Sequence, residues 1–213
     1  MRIGVFDSGI GGKAVATELG KLLPNAEIIS VDDHDHVPYG DRPPEEIIEL
    51  TKIAIKPLLS SSCDAIIIAC NTATTVAISN LRTTYPDVNF IGIEPMVKPA
   101  AKLTRSGVIA VLATPRTLQS DRYNELKQTW AKDIVVIEPD CKNWSKLIEE
   151  NESDQIDIET VTASLISQKV DVIVLGCTHY HHIKQRIVDS AGPDISVLEP
   201  TDAIANRVKS LIG

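Results

Sequence analysis

The chain has 213 residues, 43% of them hydrophobic, which is enough for one large domain or two small ones with real cores. A net charge of −8 and the lack of any lysine- or arginine-rich cluster leave out the electrostatic footprint of a nucleic-acid binder. No run approaches the roughly 18 apolar residues of a membrane span, and the start, MRIGVFDSGIGG, lacks the apolar stretch of a secretory signal, so a folded cytoplasmic enzyme is the expectation.

Short runs rich in valine and isoleucine alternate with helix-length segments throughout, the pattern of an α/β protein with mostly parallel strands. In chain order the expected strands cover residues 2–7, 26–32, 64–70, 89–94, 107–113, 133–138, 171–177 and 195–199. The loop Asp7-Ser8-Gly9-Ile10-Gly11-Gly12 opens a helix expected over Lys13 to Leu23, with Asp7 open to reading as its N-cap. Further helices are expected over Thr74 to Tyr85 and Tyr180 to Ser190. A last one covers 201–213, with Thr201 as N-cap and Arg207 and Lys209 near its end, and it is placed to pack back onto the first part of the chain.

The eight strands fall into two sets of four with matching intervals. Asp7 to Asp33 and Thr114 to Asp140 each span 26 positions, and Asp33 to Cys70 and Asp140 to Cys177 each span 37. Both third strands lead into Cys followed by polar residues, and both fourth strands end in Glu-Pro, at Glu94 and Glu199. The reading is two similar lobes, 1–95 with 200–213 and 96–199, each a mostly parallel four-stranded sheet flanked by helices. Ligands of such sheets sit beyond the carboxyl ends of the strands, so the active site is expected in a cleft between lobes, with one thiol on each wall.

Four cysteines, Cys63, Cys70, Cys141 and Cys177, are too few and too scattered for a disulfide scaffold, and no CxxC pair suggests zinc. Cys70 and Cys177 differ from the others in ending equivalent strands. Two opposed thiols suit inversion of a carbon centre without a cofactor, because a thiol near neutral pH can give a proton and a thiolate can take one. The helix N-termini after them, the hydroxyls of Thr72 and Thr178 and the amide of Asn71 supply donors for an anion. Asp7 and His179 are candidates to shuttle protons with the cysteine on their own side, whereas His34, His36, His181 and His182 read as exposed polar residues.

Two rival readings stand beside this one. Gly9, Gly11 and Ala14 fit a loose dinucleotide fingerprint, with Asp32 and Asp33 about 20 residues on, but that site leaves the paired cysteine loops unexplained. His34 and His36 among Asp32, Asp33 and Asp35 could suggest a metal, yet the cluster reads as a solvated loop and no metal is expected.

The motifs DSGIGG, VPYG, ACNTAT and LGCTHY, in that order and spanning nearly the whole chain, resemble those of the glutamate racemases of the aspartate/glutamate racemase superfamily. The resemblance implies two α/β domains, no cofactor, and Cys70 with Cys177 as the acid/base pair. It implies supporting roles for Asp7 and Ser8, for Pro38, Tyr39 and Gly40, for Asn71 and Thr72, and for Thr178 and His179. Thr114 and Thr117 match its fifth-strand threonines, and Glu149, eight positions beyond Cys141, matches its assisting glutamate.

Thr178-His179-Tyr180 is similar to the glutamate type, whereas aspartate racemases usually have Thr-Glu after the second cysteine. Departures are His36, where many members have arginine, and His181, where proline is usual; the chain also stops soon after the helix containing Arg207. The implied function is interconversion of L- and D-glutamate, supplying D-glutamate for peptidoglycan. The implied partner is a small amino acid, with no nucleic acid and no membrane, and a homodimer is one assembly open to it. An aspartate or broader racemase, or a binding protein that lost turnover, are the alternatives.

Overall fold

The computed structural model describes residues 1–212. It divides the chain into two compact units, Met1–Glu94 joined by the segment from Pro200, and Pro95–Glu199.

In the first unit the elements run β1 (Arg2–Asp7), α1 (Gly11–Leu22), β2 (Glu27–Asp32), α2 (Pro44–Ala54), α3 (Lys56–Ser60), β3 (Ala65–Ile68), α4 (Asn71–Thr84) and β4 (Phe90–Gly92). The four strands are parallel in the order β2-β1-β3-β4. The near-continuous apolar runs of β1 and β3 are buried on both faces, as central parallel strands require. Their alternation divides the core: Ile3, Val5 and Ile67 belong to one cluster with Val15 and Leu19, while Phe6, Ile66 and Ile68 belong to another with Ile47, Leu58, Ala77 and Leu81.

The second unit continues with α5 (Val97–Leu103), β5 (Val108–Leu112), α6 (Pro115–Leu118), α7 (Asp121–Trp130), β6 (Val135–Ile137), α8 (Trp144–Glu149), α9 (Ile158–Ser167), β7 (Val172–Leu175), α10 (Lys184–Ala191) and β8 (Ser196–Leu198). Its strands are again all parallel, in the order β6-β5-β7-β8. Both sheets therefore have the same 2-1-3-4 order, the three-dimensional counterpart of the matched spacings. Ile109, Val111, Val172 and Val174 pack with Val97, Ala100 and Tyr123 on one face of this sheet.

The chain ends in α11 (Thr201–Ile212), which belongs to the first unit: Ile204, Ala205 and Val208 complete the Ile3/Val5 side of its core. Without this helix that face of the sheet would be left to α1 alone. Thr201 is the first helical residue rather than the residue before the helix.

One open reading is decided and one expectation needs correction. The N-cap position of α1 is Ile10 and the helix starts at Gly11, so Asp7 does not cap it. Gly12 instead explains the loop: a Cβ there would lie 2.4 Å from Cβ of Asp7, so the helix approaches the strand end closely because residue 12 has no side chain. The expected helix over Tyr180 to Ser190 is two elements, a 3₁₀ turn over Thr178–Ile183 and then α10.

Candidate active site

In the first unit the Cys70 sulfur accepts the backbone N–H of Ala73 at 3.4 Å, which makes Cys70 the N-cap of α4. The Ser8 hydroxyl also donates to it, at 3.2 Å. Two donors and the positive end of a 14-residue helix therefore converge on one buried sulfur. Thr74 holds the start of this helix against the sheet, its hydroxyl donating to the Ile68 carbonyl at 2.9 Å and accepting Ile93 N–H at 3.2 Å.

Asp7 is fully buried and accepts the Gly9 N–H at 2.9 Å. Asn71 and Thr72 open α4 and are buried. The Asn71 side-chain oxygen has no hydrogen-bond partner, so a buried acceptor stands next to the thiol.

Pro38, Tyr39 and Gly40 come after β2, and the turn Tyr39–Asp41 packs against α4. Tyr39 is buried and its hydroxyl donates to Asp33 Oδ2 at 2.6 Å, while Asp33 Oδ1 faces His36 Nδ1 at 2.7 Å. Burial first, and then the Asp33 carboxylate, push the Tyr39 phenol well above its ordinary range and keep it a donor. Asp33 was not among the expected site residues, although its position at the end of β2 marked it as a spacing landmark. His34 and His36 are exposed as expected, and no group of three potential ligands there or elsewhere among the described residues is arranged to hold a metal ion.

In the second unit Cys177 is buried, and its side chain makes no capping hydrogen bond to the 3₁₀ turn after it. The expected helix N-terminus beside this thiol is thus replaced by a different device. His179 Nδ1 lies 3.6 Å from the Cys177 sulfur, and His179 Nε2 lies 2.5 Å from Glu149 Oε1 at the end of α8. With Glu149 as carboxylate, Nε2 carries the hydrogen and Nδ1 presents its lone pair to the thiol. The three side chains form a buried hydrogen-bonding line that ends at the Cys177 sulfur.

Thr178 is buried beside them. Thr114 caps α6, its hydroxyl accepting the Thr117 N–H at 3.3 Å and donating to the Thr117 hydroxyl at 3.1 Å. These threonines come after β5, the strand paired with β7, and a Cβ on Gly176 would come within 2.9 Å of the Ala113 Cβ. Between them sits Arg116, whose Nε is buried without a hydrogen-bond partner, a cation that the threonine pattern concealed.

The other two thiols are differently placed. Cys63 is half-buried and burial raises its pKa. Cys141 lies under Tyr180, whose hydroxyl reaches its carbonyl at 3.3 Å, and burial, with Cys177 close by, holds its thiol protonated. His181, expected to be exposed, is largely covered instead, with Nε2 3.8 Å from Glu199 Oε2.

Two doubly wound α/β units, each carrying a buried cysteine two residues past its third strand, define a thiol-bearing α/β enzyme of duplicated design. Residues 13–208 match the family model of the Asp/Glu/hydantoin racemases. The glutamate racemase of Pseudomonas entomophila (strain L48) is 38% identical over 99% of this chain and 81% of its own length. Among solved structures, Escherichia coli glutamate racemase in complex with L-glutamate and an activator matches with a TM-score of 0.86 at 28% identity, over 99% of this chain and 81% of that one. The Francisella tularensis enzyme in complex with D-glutamate matches with a TM-score of 0.81 at 29% identity, over 99% and 80%. This chain belongs to the Asp/Glu/hydantoin racemase family.

Proposed function

We propose that this chain interconverts L- and D-glutamate without a cofactor, with Cys70 and Cys177 acting on opposite faces of one substrate. In one direction a thiolate removes the Cα proton and becomes a thiol. The opposite thiol delivers its proton to the other face and becomes the thiolate, so charge and protons balance over the turnover. The reverse direction exchanges the roles.

The observation that carries this reading is the buried Cys177–His179–Glu149 line. A thiol 3.6 Å from an imidazole whose far nitrogen is held by a carboxylate is an equipped acid/base. Cys70 has its own equipment in Ser8 and the start of α4, and Asp7 is the proposed acid/base partner on that side. Ser8, Pro38, Tyr39, Gly40, Asn71, Thr72, Thr114, Thr117 and Thr178 are the proposed substrate contacts. The Asn71 acceptor suits an ammonium group, and the hydroxyls and main-chain N–H groups suit carboxylates.

Glutamate is favoured as substrate because relatives named glutamate racemase match along nearly the whole chain. The proposed setting is the cytoplasm, where D-glutamate would feed peptidoglycan synthesis, with no nucleic-acid partner and a homodimer as the assembly. No helix among the described residues is long and apolar enough to cross a membrane. Polarimetry with a panel of L-amino acids tests the substrate: rotation decays to zero with glutamate, whereas decay with aspartate and none with glutamate would overturn the assignment.

A further inference from the structure

Cys177 lacks the helix cap that Cys70 has, and the residues after it, Thr178–Ile183, form a six-residue 3₁₀ turn. Runs of this kind longer than three or four residues are uncommon because their hydrogen bonds are poorly aligned. Side chains must therefore hold the turn in place. His179 is held by Glu149 of α8, and Tyr180 packs edge-on against Trp144 of α8, ring centroids 5.4 Å apart. The next residue reaches the opposite way. His181 Nε2 lies 3.8 Å from Glu199, one residue past β8, and Lys184 at the start of α10 puts its Nζ 3.7 Å from the same carboxylate.

We propose that Glu199, gripped by His181 and Lys184, is a positioning residue that fixes the Cys177 turn from the β8 side and so sets the approach of the second thiol. The side chains of His181 and Glu199 are 9% and 16% exposed, so the pair is partly withdrawn from water, where a polar contact is screened less than at the surface. β7 and β8 are adjacent parallel strands, and Cys177 and Glu199 both lie just beyond their carboxyl ends. The turn is thus clamped on α8 by two side chains and on the β8 end by a third. Removing the third leaves the turn held on the α8 side alone, which loosens its seat beside the Cys177 sulfur.

The inference rests on the racemase reading only for its kinetic consequence, and thiol reactivity tests it separately. The full-length chain is treated with iodoacetamide, and alkylation at Cys177 and Cys70 is quantified by peptide mass spectrometry. Cys70, in the other unit, serves as internal reference. His181→Gln and Glu199→Gln are each expected to change the Cys177:Cys70 alkylation ratio at least threefold. The double variant is expected to go no further than Glu199→Gln alone, because that substitution already removes the contact with His181.

Lys184→Gln, at a side chain 40% exposed and tolerant of change, should move the ratio in the same direction by a smaller factor. About tenfold lower racemisation should accompany the Glu199→Gln shift. An unchanged ratio in the single variants, effects that multiply in the double, or equal changes at Cys70 would overturn the proposal. A wild-type chain inert toward glutamate would overturn the functional reading and leave the ratio test standing.

Discussion

Cys70 and Ala73 are joined by a hydrogen bond in which the sulfur accepts the backbone N–H at 3.4 Å, so the candidate acid/base atom of the first unit is also the cap of α4. Structure and chemistry can be separated there by substitution. Cys70→Ser keeps a capping atom, and serine is among the better N-cap residues, so thermal stability should stay within about 0.5 kcal/mol of wild type. Racemisation should fall below detection, since a hydroxyl is a far weaker acid at neutral pH. Cys70→Ala should lose activity equally and be less stable than the serine variant by about 1 kcal/mol in chemical denaturation.

Glu149→Gln tests the buried line of the second unit. Glutamine can still meet His179 but does not hold a positive imidazole as a carboxylate does, so kcat should fall about 100-fold while the unfolding midpoint changes little. An unaltered kcat in steady-state assays would remove Glu149 from the proton path.

Gly12→Ala should be costly despite its small size. The added methyl would sit 2.4 Å from the Asp7 Cβ, and the helix cannot retreat without opening the core around Val15 and Leu19. A loss of about 1–3 kcal/mol in urea unfolding is expected, together with reduced activity from displacement of Asp7 and Ser8.

Asp171 gives a pH-dependent contribution outside the site. Burial acts to raise its pKa, but hydrogen bonds from the Thr104 hydroxyl at 2.5 Å and from the N–H groups of Arg105 and Ser106 at 2.7 and 2.8 Å outweigh it, and the pKa is lowered. A folded-state pKa below the unfolded one means stability that is present above about pH 3.9 and lost as pH falls through the folded value. Asp171→Asn should therefore cost about 1 kcal/mol at pH 7, discounted for solvent exposure, with the gap to wild type closing in melts taken at progressively lower pH below 4.

Strand positions were legible because central parallel strands read as unbroken apolar runs: all eight observed strands fall inside the expected ranges, and most are shorter where pairing stops. The equal intervals between landmarks were legible too, and they correspond to identical strand orders. The segment after Cys177 was hidden. The spacing after Cys177 fits a helix, and nothing in THYHHIKQR reveals that Tyr180 packs inward onto the Trp144 ring within a 3₁₀ turn.

Side-chain partners were legible where a motif named both members, as with Cys177 and His179. They were hidden where no motif named the partner, whether six residues away, as with Asp33 beneath Tyr39, or at the next strand end, as with Glu199 beneath His181. The covered state of His181 shows the limit plainly: a histidine between polar residues looks solvated until a carboxylate 18 positions away is folded against it.

The central claim is that two different thiols handle the two faces of one substrate. Racemisation of L-glutamate in D₂O, tracked by proton NMR from the first few per cent of conversion, tests it most directly. Two bases predict that each newly formed D-glutamate carries deuterium at Cα while the remaining L-glutamate keeps its hydrogen. Deuterium entering the L-glutamate pool as fast as D-glutamate appears, or hydrogen retained in the product, would mean that one group serves both faces and would contradict the account.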